Sequence, residues 1–294
     1  MKLGYSITSF QSRSIAPQEA VNAILNRAET AASLGYDYIE AGDHHVVSDG
    51  QYFQNVPMTA RLTQYFDHVA TMWLLPLYNP VHVAESGGTL DALSSDFDAW
   101  FAIGGGENTF NAFDIPLEQR VPRLKEGLEI ITRLWEENNI SFQGDFYSLD
   151  NVSVNPKASP RICIGGGVKA AVRRAAQLGD AWVAGPGESK ADLRRKSAWF
   201  SDAGGGDLIV RREVLGLADA ERAQEKANAK LTNGYRGWPT DAEWVIAGDA
   251  NTIANELETL WDIGVDEVVI RPMSNSHAIE TLKESYRGFS SLKS

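Results

Sequence analysis

Residues 32–45 read Ala32-Ser33-Leu34-Gly35-Tyr36-Asp37-Tyr38-Ile39-Glu40-Ala41-Gly42-Asp43-His44-His45. An apolar stripe at helical spacing leads into this stretch. Ala20, Val21, Ile24, Leu25, Ala28 and Ala32 share one face of a helix that Pro17 can start. Gly35 stands where that helix must stop and suits the left-handed C′ position, which is costly for a residue with a β-carbon. Residues 36–41 then read as a strand, and polar residues follow its far end. The same helix–Gly–Asp–strand joint recurs at Leu178-Gly179-Asp180 and Ile263-Gly264-Val265-Asp266. Such repetition predicts a chain built of βα units.

On both sides of this stretch the alternation continues. Residues 3–8, 36–41, 69–75, 97–103, 161–164, 181–184, 208–215 and 267–271 read as strands. Most are continuous apolar runs, which suit parallel strands buried on both faces. Between them, Pro122 is a good first-turn residue for a helix carrying Leu124, Leu128, Ile131, Leu134 and Trp135. Ser189 with Asp192 resembles a capping arrangement, and Asn251 is placed to cap a helix over 253–263. Eight strands with intervening helices predict a single α/β domain over 1–294, a (β/α)8 TIM barrel with insertions. An open doubly wound sheet is the runner-up, because strand order is not written in one sequence. Residues 139–160 are predicted to leave the pattern as a small hairpin around Gly144-Asp145-Phe146-Tyr147. Residues 232–247 form a second irregular stretch.

Composition sets limits. The chain has 294 residues, 43% of them apolar, enough for a large core. The longest nearly apolar run, 69–78, is too short to span a bilayer and contains Pro76. No secretory signal precedes the first strand, and the single cysteine, Cys163, excludes an intrachain disulfide, so a cytoplasmic protein is expected. A formal net charge of −12 disfavours nucleic acid as a partner. The short basic clusters, Arg173-Arg174 and Arg194-Arg195-Lys196, read as solvated helix faces. A small anionic cofactor is still compatible, since local amides decide such a site.

In a βα barrel the strand C-termini converge on the catalytic face, so the residues following each strand matter most. After the second strand come Asp43, His44 and His45. Histidine suits proton transfer near neutral pH, and alternation lets only one of the pair face the pocket. Asp43 is read as an orienting group or cap. No His-x-His or His-Glu-x-x-His spacing accompanies them, so no metal is predicted. After the fourth strand, Gly104, Gly105 and Gly106 open space and Glu107 is a candidate second acid/base. After the fifth, Gly165, Gly166, Gly167 and Val168 run directly into a helix, whose free amides suit a phosphate. A third triplet, Gly204-Gly205-Gly206, precedes a strand and reads only as a helix stop. Met72, Trp73, Leu74, Leu75 and Tyr78 put an apolar, aromatic rim by the third strand, suited to a flat ring. There is no Gly-x-Ser-x-Gly and no P-loop.

The chain resembles the luciferase-like flavin monooxygenase superfamily, which includes F420-dependent oxidoreductases. The resemblance rests on the order of several segments: residues 32–37 with Gly42-Asp43-His44-His45; Leu75-Pro76-Leu77-Tyr78-Asn79-Pro80-Val81 with Ala84-Glu85; Ala112-Phe113-Asp114-Ile115-Pro116; Gly144-Asp145-Phe146-Tyr147; Ile164-Gly165-Gly166; and residues 175–182. It implies a monooxygenase using reduced FMN and O2, or an F420-dependent hydride-transfer enzyme. His44 would lie beside the cofactor ring, Glu107 would match an acid of some F420-using members, and Gly165, Gly166 and Gly167 would take the cofactor phosphate. Asp43, Met72, Trp73, Gly105, Gly106 and Val168 complete the expected cofactor contacts. A non-prolyl cis peptide at Met72-Trp73, a homodimer, and a separate flavin reductase as partner are further expectations of the resemblance. A cofactor-free lyase or isomerase for a phosphorylated substrate, and a non-catalytic flavin carrier, are the rival readings. Residues 46–56 and 232–247 are the loops expected to meet substrate.

Overall fold

The computed structural model describes residues 1–293. Its centre is a closed parallel barrel of β1 (Lys2–Ser6), β2 (Tyr38–Ala41), β3 (His68–Leu74), β4 (Asp96–Ala102), β5 (Arg161–Gly165), β6 (Ala181–Ala184), β7 (Asp207–Gly216) and β8 (Glu267–Pro272). Each strand pairs with the next in chain order, and β8 returns to β1. Closure removes both sheet edges and excludes the open doubly wound alternative. Helices α1 (Pro17–Leu34), α2 (Asn55–Leu62), α3 (Pro80–Leu93), α4 (Glu107–Ala112), α5 (Arg120–Glu136), α6 (Lys169–Leu178), α7 (Lys190–Ser201), α8 (Ala220–Thr232), α9 (Ala250–Asp262) and α10 (Ala278–Ser291) join the strands. Among the described residues, no helix is long and apolar enough to cross a membrane.

Strand alternation sorts the side chains into two cores. Tyr38, Ala70, Trp100, Cys163, Ala181, Ile209 and Val269 point inward and fill the middle of the barrel. Large and small residues alternate there: a β-carbon on Gly4 would stand 2.6 Å from Tyr38 Cζ. Leu3, Tyr5, Ile39, Val69, Trp73, Phe97 and Phe101 point outward and meet the helices. An ionic layer closes the N-terminal end of the barrel. Arg161 Nη1 lies 2.6 Å from Glu267 Oε1 and 3.4 Å from Asp98 Oδ2, and its Nη2 lies 2.6 Å from Asp207. His68 adds contacts of 3.3 Å to Asp98 and 3.5 Å to Asp96. Filled in this way, the barrel is a packed core whose usable cavity lies at the other end.

Several local expectations need correction. Gly35 (φ 100°) and Gly264 (φ 92°) are left-handed as the joint requires, whereas Gly179 is extended at φ −139°. At Gly179 a close approach excludes the side chain: a β-carbon would lie 2.9 Å from the carbonyl oxygen of Ile162. The Met72–Trp73 bond is trans, and β3 passes through it in unbroken register with β4, Met72 opposite Trp100 and Trp73 opposite Phe101. Residues Ile140–Gln143 and Ser148–Val152 form the expected hairpin. The stretch 232–247 is less irregular than expected: a 3-10 turn at Tyr235–Gly237 precedes a short strand, Val245–Gly248. That strand pairs with the part of β7 that runs past the end of β6.

Ser189 caps α7 as expected, accepting from the Asp192 amide at 3.0 Å. At α9, Asp249 is the cap in place of Asn251: its carboxylate accepts from the Thr252 amide at 2.9 Å and the Thr252 hydroxyl at 2.8 Å. Those bonds, the backbone one foremost, hold the Asp249 carboxyl below its ordinary value. Asp249→Ala is expected to cost about 1 kcal/mol in urea unfolding at neutral pH. Because the folded value is the lower one, the cap's contribution is present above the ordinary carboxylate range. It fades as pH falls through the folded value, so wild type and variant should converge in acid.

Candidate active site

The C-terminal end of the barrel holds a cavity of about 450 Å3, within the usual size of a small-molecule pocket of about 300–1,000 Å3. Its walls come from every strand end. Asp43, His44 and Gly42 follow β2, and Met72 and Leu74 belong to β3. Gly104 and Gly105 follow β4, Gly165 ends β5, and Gly166 and Gly167 come next.

His44 and His45 part company as strand alternation requires. His44 lines the cavity and is exposed there. Its ring meets Tyr52 edge-on at 5.6 Å between centroids, and neither ring nitrogen has a protein partner among the described residues. His45 turns away from the cavity. Its Nε2 lies 3.1 Å from Asp43 Oδ1 and 3.0 Å from the Tyr78 hydroxyl, and its ring packs on Phe113.

Asp43 is the brace of this rim. Its side chain is fully buried, and Oδ2 accepts from the Leu74 amide at 2.8 Å and from the Tyr78 hydroxyl at 2.9 Å. The carboxylate thus ties the end of β2 to the end of β3. Burial, and then the negative Asp43, push the Tyr78 hydroxyl well above the ordinary phenol value, so Tyr78 stays a neutral donor. Tyr52 is raised in the same direction by burial and by Glu40, and it donates to the Gly42 carbonyl at 2.8 Å.

The β4–β5 side is a wall almost without side chains. A β-carbon on Gly165 would stand 3.2 Å from Ala102 Cβ, and one on Gly104 would stand 3.2 Å from Leu74 Cδ2. Behind it, α6 begins with no side-chain cap, and only the amides of Ala171 and Val172 bond back to Val168. The amides of Lys169 and Ala170 are therefore left open to an anion at the positive end of the helix, and close neighbours, Ala171 at Gly166 and Glu188 at Gly167, keep both positions free of side chains. Glu188 stands beside Gly167, where Lys196 pairs with it. A flat ring against the glycines with an anionic tail at α6 fits this donor set.

Four sequence expectations move. Glu107 is the first residue of α4 and stands in solvent outside the cavity, where its charge complements the helix N-terminus. Gly106 caps α4 in open space. Trp73 is buried on the helix side, stacked on Phe101 at 5.7 Å, because odd positions of β3 point outward. Val168 exposes 69% of its surface, so only its backbone is near the glycine loop.

Sequence reading missed the far wall: Ser6, Ser9, Arg211, Arg236 and Arg271 also line the cavity. A signal was present, because Arg211, Arg212 and Glu213 put three charges in a row inside a strand that is otherwise apolar over 208–215. Arg236 and Tyr52 do come from the two loops expected to meet substrate. A metal-like grouping, His68 with Asp96 and Asp98, lies at the opposite end of the barrel. There Arg161 already supplies positive charge to Asp98.

The family model of luciferase-like monooxygenases matches residues 1–267. An F420-dependent hydroxymycolic acid dehydrogenase of Mycobacterium tuberculosis is 25% identical over 274 residues, covering 85% of this chain and 74% of its own. An FMNH(2)-dependent dimethylsulfone monooxygenase of Pseudomonas fluorescens is 28% identical over 176 residues, covering 54% of this chain and 48% of the relative. The chain thus spans about half of that relative's length. Among solved structures, a monooxygenase from Streptomyces bottropensis superimposes with a TM-score of 0.87 at 17% identity, covering 100% of both chains. That likeness is one of fold.

Proposed function

The chain belongs to the luciferase-like monooxygenase family, and from that premise we propose that it is a monooxygenase using reduced FMN and O2 on a small organic substrate. The observation that carries the proposal is the pairing, in one cavity, of a glycine wall ending at an uncapped helix with a histidine whose ring nitrogens are free. Gly104, Gly105, Gly165, Gly166 and Gly167 would hold the cofactor, with the first amides of α6 taking its phosphate. Reduced flavin would supply the electrons for oxygen chemistry. His44 gives or takes a proton at the substrate atom being oxidised. Met72, Leu74, Ala102, Ile103 and Val183 keep the pocket apolar and limit water. Asp43, held by Tyr78 and the Leu74 amide, fixes the backbone that presents His44.

The position of Glu107 favours FMN over F420, since the acid associated with the F420 reading stands outside the cavity. The working unit we propose is a cytoplasmic homodimer served by a separate flavin reductase. Fluorescence titration with FMN, reduced FMN and F420 tests the cofactor. Reduced FMN is expected to bind most tightly. Preferential binding of F420 would move the reading to hydride transfer, and binding of none of the three would overturn it.

A further inference from the structure

The cavity has two chemically different halves. From β3 to β6 it is lined by Met72, Leu74, alanines, valine and glycines, with no ionised side chain. From β7 through β8 to β1 it is lined by Arg211, Arg271, Ser6 and Ser9, with Arg236 reaching in from the loop after α8. These strands are neighbours, and Arg271 lies directly opposite Glu213 in the ladder.

Among the described residues, one guanidinium on this side is left without a carboxylate partner. Glu213 is fully buried and serves two guanidiniums, Arg236 at 3.0 Å and Arg271 at 3.2 Å, while also accepting from the Tyr235 hydroxyl at 2.6 Å. Asp43, the acid among the lining residues, is spent on His45, Tyr78 and the Leu74 amide. Glu40 lies fully buried beneath the Gly42 rim, its carboxylate also without a hydrogen-bond partner, and its charge supports Arg271. Among the described residues, Arg211 has no carboxylate within ion-pair distance, and its Nε is buried without a partner. Ser9, which also lines the cavity, keeps its hydroxyl buried against the Tyr52 hydroxyl. The remaining nitrogens of the Arg211 guanidinium make no hydrogen bond to the described residues and open on the cavity, where an oxyanion would pair with them.

We propose that this half is a substrate subsite for an oxyanion head group, a carboxylate, sulfonate or phosphate, seated on Arg211. The planar guanidinium suits such a group. The rest of the substrate lies toward Met72, Leu74 and Val183, within the cavity that His44 lines. The substrate is therefore an amphiphilic organic anion. This inference deepens the monooxygenase reading and rests on it for what fills the glycine half.

The test is calorimetric binding of octanoate, octanesulfonate and octyl phosphate against the neutral octanamide and octanol. Each is titrated into wild type, Arg211→Gln and Arg211→Lys, with and without FMN. At least one anion should bind wild type about tenfold more tightly than the neutral probes. That advantage should vanish in Arg211→Gln and return in part in Arg211→Lys, with FMN affinity unchanged. The proposal is overturned if no anion outbinds the neutral probes in wild type, or if the preference survives in Arg211→Gln. It is also overturned if Arg211→Gln weakens FMN instead, which would make Arg211 a cofactor-phosphate ligand. Absence of flavin binding would sink the monooxygenase reading alone, because the anion comparison on cofactor-free protein stands by itself.

Discussion

His44→Ala is expected to lower kcat/KM by about 10²- to 10⁴-fold, the usual worth of a positioned acid–base group, with unchanged flavin affinity and thermal midpoint. The separation of effects follows from geometry. The His44 ring touches Tyr52 edge-on and donates nothing to the fold, so its removal leaves no unpaired group behind. Surface changes of that kind stay within about 0.5 kcal/mol of stability. His45→Ala is the contrasting variant. It takes a partner from Asp43 and from Tyr78, and it opens the contact with Phe113, so it should lower stability as well as activity. Steady-state kinetics beside thermal unfolding of both variants checks this. Turnover of His44→Ala within about threefold of wild type would remove His44 from the chemistry.

Much of the barrel was legible because its strands are buried on both faces. A strand such as β3 or β6 has to be a nearly continuous apolar run, and each joint such as Gly35 has to reverse the chain over a few residues. What the sequence could not convey was whether a glycine is there for its torsion or for its neighbour. Gly264 is left-handed, but Gly179 is extended and kept small by the Ile162 carbonyl. The cap of α9 slid from Asn251 to Asp249 because both residue types cap well, and the choice depends on where the chain leaves the strand Val245–Gly248.

The candidate site was legible where its lining follows a strand and obscure where it lies inside one. Asp43, His44 and the glycine loop at Gly165 all follow strand ends, so position alone singled them out. Arg211 and Glu213 lie within β7, which outruns β6 and carries its interior face up into the cavity wall. Strand length relative to a neighbour is a tertiary property, so the charges inside β7 show in the sequence without the height at which they stand. Glu107 failed for the opposite reason: it does follow a strand, but α4 starts at that residue and turns the side chain to solvent. Trp73 failed because periodicity of two gives alternate faces without saying which is inward.

Arg161→Met is expected to be the most destabilising of the substitutions considered, by about 3–5 kcal/mol, the usual result of stripping one partner from a buried ion pair. Arg161 reaches up from the start of β5 and joins Glu267 of β8, Asp98 of β4 and Asp207 of β7, strands on different sides of the barrel. Glu267 and Asp98 are almost wholly buried, so water cannot replace the lost guanidinium. Lys2, 3.9 Å from Glu267, is half exposed and too distant to take over. The neighbouring carboxylates raise the Arg161 value above its ordinary one even though burial, the largest influence, acts downward. A raised cationic group contributes fully below its unfolded value, so the loss in Arg161→Met should be undiminished at neutral pH. Adding Asp98→Asn and Glu267→Gln to Arg161→Met should recover much of the stability, because the cost lies in the stranded charges. Urea unfolding of the single and triple variants reads this directly. If the triple variant is no more stable than Arg161→Met alone, the layer is held by packing, and electrostatic closure of the barrel floor is wrong. Activity offers an independent check, since the layer lies at the end of the barrel remote from His44. Below the unfolding transition, kcat of the surviving folded protein should match wild type.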